Sequence, residues 1–502
     1  MGLNRLDFGI IAVYLIGITL FGLRFRKRQR TLRDYFLAGR DIPWWAIALS
    51  IVAAETSTLT IISIPGLAYD GNMTFLQVVM GYIVGRVIIS FVLLPHYFKG
   101  DLYTAYELIE KRFGPQLRTI TSGLFLLTRA VAEGVRVYAV SIVVSIALGT
   151  GEVTSIAIIT ILTLIYTFEG GLAAVIWTDV VQTAIYVSGT LVGLVTIVHL
   201  VPGGWSHIHE VATAANKFRI FDFTPSIWKP YTFWAALVFG ASFVTASHGT
   251  DQLIVQRLLA ARNYRQSVTA LLSSGLAIFF QFALFLVVGV MLYVYYLLPA
   301  AHFGTPDRIY PTFIATRMPH GVAGLLIAAI LAAAMSNLSA ALNSLSSSTV
   351  MDIYLRLRSF KTKDSNRGGR GALAEDAENN NSTQRMQMQL SRLCTVGWAI
   401  VLFGLAILCL HRVSRVVEVG LQIASVTYGA LLGAFLLGVL THRANQLGTA
   451  IGMLCGFGME VYLWKFTAVP FTWWVLIGTA ATFVIGYVSS VAITRALAIK
   501  SS

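Results

Sequence analysis

Residues 50–71 read SIVAAETSTLTIISIPGLAYDG and lie in an apolar stretch that opens at Trp44. The stretch is long enough to cross a bilayer, yet its middle carries Glu55, Thr56, Ser57, Thr58 and Thr60. Hydrocarbon satisfies none of these groups, so the segment must face protein or an aqueous cavity. Pro65 and Gly66 loosen the backbone further on, and a helix break is expected between Ala53 and Gly66, with carbonyls freed to coordinate a ligand. Broken helices with free carbonyls near the midplane mark secondary transport sites. The competing reading is a tightly packed helix whose hydroxyls bond back to the preceding turn.

Working outward, composition sets the class. Of 502 residues, 56% are hydrophobic and 12% charged, whereas a soluble globule carries about 25% charged residues. The chain reads as an all-α polytopic membrane protein, one transmembrane domain over residues 1–502. About thirteen apolar spans of roughly 20 residues follow one another, near 7–24, 44–69, 74–98, 120–149, 152–168, 175–201, 231–256, 267–298, 320–350, 391–411, 416–440, 446–465 and 471–494. The first lacks the basic lead and cleavage site of a signal peptide, so it reads as a retained helix.

Net charge is +14, but the basic residues gather in alternate short loops: Arg24, Arg26, Lys27, Arg28, Arg30, Arg33 and Arg40, then Lys99, Lys111, Arg112 and Arg118, then Arg257, Arg262 and Arg265. The positive-inside rule explains this pattern better than nucleic-acid binding, and no nucleic-acid partner is expected. It places the N-terminus outside and the C-terminus in the cytoplasm of a cell (inner) membrane, with the lipid bilayer as surroundings. Residues 356–390 are polar and rich in Asn and Gly, which reads as a flexible cytoplasmic linker with a short interfacial helix near its end. Cys394, Cys409 and Cys455 show no CxxC spacing, His207 and His209 stand isolated, and no GxxxxGK[ST] appears. Disulfide frameworks, metal clusters and ATP-driven pumping are not indicated, and no nucleophile and base pairing suggests an enzyme.

Other spans also bury polar groups. Asp179, in Ile176 to Gln182, reads either as a cation ligand or as an acid favoured by a helix N-terminus. Ser336, Ser339 and Asn343 share a helical face by i, i+3, i+7 spacing, offering oxygen ligands that suit a hard cation such as Na+, while the small residues around them also permit close helix contact. Arg129, Glu133 and Arg136, at i, i+4, i+7, form a charged stripe suited to gripping a carboxylate or polyhydroxyl group, or to pairing structurally with Glu55. Residues 240–252, GASFVTASHGTDQ, resemble the 50–71 break five spans later, as an inverted repeat would require.

These features together resemble the sodium:solute symporter family. The likeness covers nearly the whole chain and rests on Asp34 to Arg40, Ser50 to Gly66, Tyr166 to Ala174 with Trp177 to Asp179, Asp251-Gln252 to Gln256-Arg257, and Ser336 to Asn343 with Asp352 to Tyr354. It implies a LeuT-like fold: inverted five-helix repeats, about 44–201 and 231–440, with one preceding and two following helices. It implies Na+ coupling, with sodium bound by Ala53, Thr56, Ala333, Ser336 and Asn337 and with Asp179 on the exit path; Asn337 departs from the usual Ser or Thr. The solute would lie near Glu55, Ser57, Thr60, Gln77, Arg129, Glu133, Arg136, His248 and Asp251. The pattern of galactose binding is absent around Thr60 and Thr74, while an arginine in the corresponding helix grips the substrate carboxylate in sialic acid symporters. The expectation is import of a small polar solute (sugar, acidic sugar, carboxylate or amino acid) by alternating access, with a transporter-like sensor or proton-coupled carrier as the alternatives.

Overall fold

The computed structural model describes residues 3–24, 38–99, 105–166, 172–297, 304–350, 375–410 and 415–501. The stretches Asp34 to Phe36, Thr167 to Gly170 and Asp352 to Tyr354, the basic run from Arg26 to Arg33, and the first part of the 356–390 segment lie outside these residues. From Glu375 onward that segment is helical, as the helix expected near its end requires, but the helix is longer and continuous with the following span.

The first helix, α1 (Arg5–Leu23), starts with a capping box in which Asn4 and Asp7 satisfy each other's backbone N–H groups. A single span then appears as two half-helices, α2 (Trp44–Glu55) and α3 (Thr58–Asp70), bent by 66°. The rest of the first half is α4 (Leu76–Val92), the short amphipathic α5 (Ala105–Phe113), α6 (Pro115–Leu148), α7 (Glu152–Tyr166) and α8 (Leu172–Leu200). After α9 (Gly204–Ala214) the second half opens on another broken pair, α10 (Phe233–Gly249) and α11 (Gln252–Leu259). It continues through α12 (Tyr264–Leu297), α13 (Ile309–Arg317), α14 (Val322–Ser348), α15 (Glu375–Cys409) and α16 (Val416–Leu440). Two further helices, α17 (Gln446–Phe466) and α18 (Trp474–Ser501), follow.

Ten of these helices are long and apolar enough to span, the bent pair forms an eleventh span, and the shorter apolar helices α7 and α10 complete the expected set. Two breaks five spans apart identify the two repeats, each opening on a discontinuous helix. The second break forms where Thr250 leaves helical geometry and Asp251 caps α11 by accepting the Leu253 N–H at 3.0 Å.

The first break falls at Thr56 and Ser57, ahead of Pro65 and Gly66, which lie inside the continuous helix α3. Those two residues serve packing instead. A Cβ at Gly289 of α12 would stand 2.1 Å from the Pro65 carbonyl oxygen, and one at Gly66 would stand 2.7 Å from that of Pro306. Gly289→Ala is therefore expected to lower the thermal midpoint, costing about 1–3 kcal/mol of overpacking; an unchanged midpoint would refute this close approach of α3 and α12.

Beyond the end of α3 the rim is tied together by polar contacts. Arg415 pairs with Asp70 and Glu418, Tyr231 donates to Glu418 at 2.6 Å, and Asp307 accepts the Val416 N–H at 2.9 Å. Burial pushes the Asp307 carboxyl up from the ordinary carboxylate range. Lys217 donates to the Tyr69 carbonyl at 2.6 Å and lies 4.0 Å above the Tyr293 ring, where burial pulls its ammonium down.

Candidate functional site

At the α2–α3 break Thr56 takes φ −83 and ψ 74 and Ser57 is extended. The Thr56 N–H reaches Val52, the Ser57 N–H folds back to Glu55, and the Thr60 and Ile61 N–H groups both go to Ser57. Among the described residues no backbone N–H reaches the carbonyls of Ala53, Ala54 or Thr56. This is the electronegative cluster that the polar run in an apolar span calls for. The Thr56 hydroxyl is fixed by Gln281 of α12, whose Nε2 donates at 2.9 Å.

Beside the break lies a cavity of about 200 Å3. One wall is a continuous aromatic series of Phe75, Phe282, Tyr82, Phe243 and Tyr428, with successive ring centroids 6.0, 6.3, 6.4 and 5.3 Å apart. The remaining wall brings together Glu55, Ser57, Thr60, Arg129, Arg136, His248 and Asp251 from four separate helices. Glu133 opens instead onto an adjoining cavity of about 20 Å3 that it shares with Ser57, Thr58, Arg136 and Asn337. Gln77 lines neither. Buried, it donates to the carbonyls of Thr74 and Tyr231 and accepts the Asp222 N–H, tying α4 to the segment before α10.

Charge is distributed unevenly over this wall. The partner of Glu55 is Arg86 of α4, not the stripe on α6, and His248 Nε2 lies 3.4 Å from the same carboxylate. Arg86 is fully buried and also donates to the Tyr82 carbonyl and the Ser274 hydroxyl. On α6, Glu133 Oε1 is 3.0 Å from Arg129 Nε and 2.6 Å from Arg136 Nη1. The contact to Arg129 is misaligned, and Arg129 Nε has no hydrogen bond although it is buried. Asp251 lies 3.7 Å from Arg129 Nη1 and also accepts from the Tyr428 hydroxyl at 3.4 Å. Each carboxylate is thus already engaged, while the two guanidiniums keep unfilled donors.

Asp179 sits apart from the cavity lining. Its carboxylate accepts from Ser50 at 2.6 Å and from Arg257 at 3.0 Å, and Arg257 Nε reaches Ser50 at 2.8 Å, joining α8, α2 and α11. Ala333, Ser336, Asn337 and Ser339 lie on the unbroken helix α14, and Asn337 brings that helix to the cavity wall beside Ser57. The side chain of Asn343 is outside the described set.

Arg86, Gln281 and the aromatic wall were not anticipated. Arg86 had a readable signal, a lone charge in the middle of the apolar span 74–98. The aromatic residues had none, because 12% of the chain is aromatic and these five come from four helices.

A family model described as the sodium:solute symporter family matches residues 35–456. The sodium/sialic acid symporter SiaT of Proteus mirabilis is 30% identical over 464 residues, 89% of this chain and 87% of that protein. The sodium-coupled monocarboxylate transporter 1 of Xenopus laevis is 26% identical, with 91% and 71% covered. A solved substrate-bound, outward-open Na+-coupled sialic acid symporter superposes with TM-score 0.79 at 27% identity, covering 97% of this chain and 98% of that one. The nucleobase-cation-symport-1 family transporter Mhp1, at 10% identity and TM-score 0.52, shares the fold.

Proposed function

Because the chain belongs to the sodium:solute symporter family, we propose that this multi-pass membrane transporter uses the inward Na+ gradient to import a small organic anion carrying a carboxylate. The observation that carries the choice of solute is the imbalance of donors and acceptors on α6. Among the described residues Arg129 is buried without a hydrogen bond at Nε, Arg136 has a single one and is 33% exposed, and Glu55, Glu133 and Asp251 are all engaged by other groups. What such a wall lacks is an acceptor-only anionic group, and a carboxylate meets a guanidinium in two-point geometry. Asn337 and the start of α3 stand beside Arg136, so the same end of the solute also meets a helix N-terminus. The aromatic wall opposite suits a ring or other apolar face. Relatives named for sialic acid, monocarboxylates and iodide all carry anions.

Sodium in this reading binds between the freed carbonyls of Ala53 and Thr56 and the α14 residues Ala333, Ser336 and Asn337. Oxygen ligands without fixed charge suit a hard monovalent cation. Asp179 stands on its way to the cytoplasm, the N-terminus lies outside and the C-terminus inside a cell (inner) membrane.

The reading is tested in proteoliposomes by comparing uptake of labelled small carboxylates and of their uncharged amides, under an inward gradient of Na+ or of K+. Accumulation of a carboxylate in Na+ alone is expected; accumulation of the amide as well would remove the anion, and equal rates in K+ would remove the coupling. Ser336→Ala is expected to raise the half-saturating Na+ concentration roughly tenfold, the loss of one charge-assisted oxygen contact. Ser425→Ala, whose hydroxyl is bonded to the Leu421 carbonyl, serves as control; equal half-saturation in the two would refute the ligand assignment.

A further inference from the structure

Outside the ten-helix core, α17 carries glycines at every fourth position, Gly448, Gly452 and Gly456, and the next residue in that stripe is Glu460. The facing helix α18 continues the pattern with Gly478, Thr482, Gly486 and Ser490, an arrangement that lets helix backbones approach closely in lipid. Glu460 interrupts this apolar seam with a carboxyl group that is completely buried. The polar groups closest to its oxygens are the backbone N–H groups of Gly429 and Ala430 on α16, and among the described residues no side-chain hydrogen bond or ion pair reaches it.

Room for the group is made by glycines on two other helices. A Cβ at Gly429 of α16 would stand 2.0 Å from Glu460 Oε1, and one at Gly478 of α18 would stand 2.2 Å from the same atom. The carboxyl is therefore wedged where three helices meet. The hydroxyls of Thr479, beside Gly478, and of Thr482, one turn further, lack partners. That is unlike Thr121, Thr160, Thr190, Thr245 and Thr449, which each donate to the carbonyl four residues before.

We infer that Glu460 is a proton-binding site: it is carried as a neutral carboxylic acid, and that proton holds α16 against α17 and α18. An ionised carboxylate in this position would have neither water nor a counter-charge, a cost of burial that a neutral acid avoids. What α16 and α18 place against it are Gly429, Gly478 and the backbone N–H groups of Gly429 and Ala430, none of them titratable or charged. The adjacent titratable residue on α16, Tyr428, is directed to Asp251, and Lys465 on α17 lies in the last turn against the Phe466 ring. Losing the proton drives the carboxylate toward water, which requires the three-helix junction to open. Because Gly429 directly follows Thr427 and Tyr428, both in the cavity wall, the proton on Glu460 governs the seating of a helix that the solute touches.

Since the docked state keeps the proton and the opened state releases it, raising pH favours opening. Between the pKa of the opened, solvated carboxyl and the higher one of the buried carboxyl, the ratio of docked to opened molecules falls about tenfold per pH unit. Two measurements on the full-length protein test this without any solute. Infrared spectra of wild type and Glu460→Gln are expected to differ by a protonated-carboxyl C=O stretch at neutral pH, present only in wild type. The thermal midpoint of wild type is expected to fall on alkalinisation by more than that of E460Q, in which the amide keeps the neutral form. Absence of the acid band overturns the assignment of the proton. An acid band with superimposable alkaline limbs overturns its role in docking. Should E460Q fail to fold, the loss of the band as wild type is made alkaline, in step with its melting midpoint, gives the same decision.

Discussion

Asp179→Asn lowers the thermal midpoint sharply, while Asp179→Asn combined with Arg257→Gln recovers most of the loss. The expectation follows from the contacts rather than from the charge of Asp179 alone. Arg257 is buried, and its counter-charge is Asp179 at 3.0 Å, with Ser50 bridging the two. Removing one member of a buried pair strands the other, at about 3–5 kcal/mol, whereas removing both leaves neutral groups that still hydrogen-bond. Thermal denaturation of wild type, Asp179→Asn, Arg257→Gln and the double mutant in one detergent measures the coupling. A single mutant as stable as wild type would mean that Arg257 finds water in place of the carboxylate. The same cycle bears on transport, since α2, α8 and α11 are joined here and two of them belong to the broken spans that open each repeat. If the double mutant folds well but turns over faster or leaks sodium, the pair acts as a latch as well as a brace.

The architecture was readable because its physical signals are large. Five hydroxyl or carboxyl groups in one apolar span leave a helix no way to face lipid, and the same logic identified the interruption at residues 240–252. The first break lies at Thr56 and Ser57, inside the expected interval from Ala53 to Gly66 but at its polar end rather than at the proline. Pro65 and Gly66 do not open the helix, since a membrane helix tolerates a proline where neighbouring groups satisfy the carbonyl it frees, and both residues serve close packing with Gly289 and Pro306. At the site, helical spacing correctly placed Arg129, Glu133 and Arg136 in one ion cluster. It could not reveal that Glu55 belongs to Arg86, because which helices meet is set by packing over the whole bundle, and local periodicity carries no information about it. Gln77 illustrates the same limit: a polar residue at depth reads as a ligand until its hydrogen bonds to Thr74, one turn back, and to Asp222 and Tyr231 before α10 are visible. The helix from Glu375 is longer than the short one expected near the end of that segment, because a polar stretch carries no apolar period to mark where a helix that extends a span begins.

Arg136→Gln abolishes solute-dependent stabilisation and leaves sodium-dependent stabilisation intact, whereas Arg129→Gln weakens both the solute response and the fold. The two arginines flank Glu133 but differ in surroundings. Arg136 is one-third exposed and borders both cavities, so its guanidinium can meet a solute without breaking the contact to Glu133. Arg129 is enclosed, and it also faces Asp251, which caps α11. Its loss leaves Asp251 without a nearby cation and reduces the compensation of Glu133. Deleting one partner of a buried charge pair with a ligand costs about 2–5 kcal/mol, a loss of at least roughly thirtyfold in affinity. Glutamine keeps a donor while removing the charge, so a surviving neutral contact would retain some binding and a carboxylate contact would not. Thermal shifts with a panel of small carboxylates, in NaCl and in KCl, report both ligands on one protein. Normal solute shifts in both variants would make the stripe scaffold and end the anion reading. Loss of the sodium shift in Arg136→Gln would place that residue with the ion, against a geometry in which the freed carbonyls of Ala53 and Thr56 belong to α2 and its end while Arg136 belongs to α6.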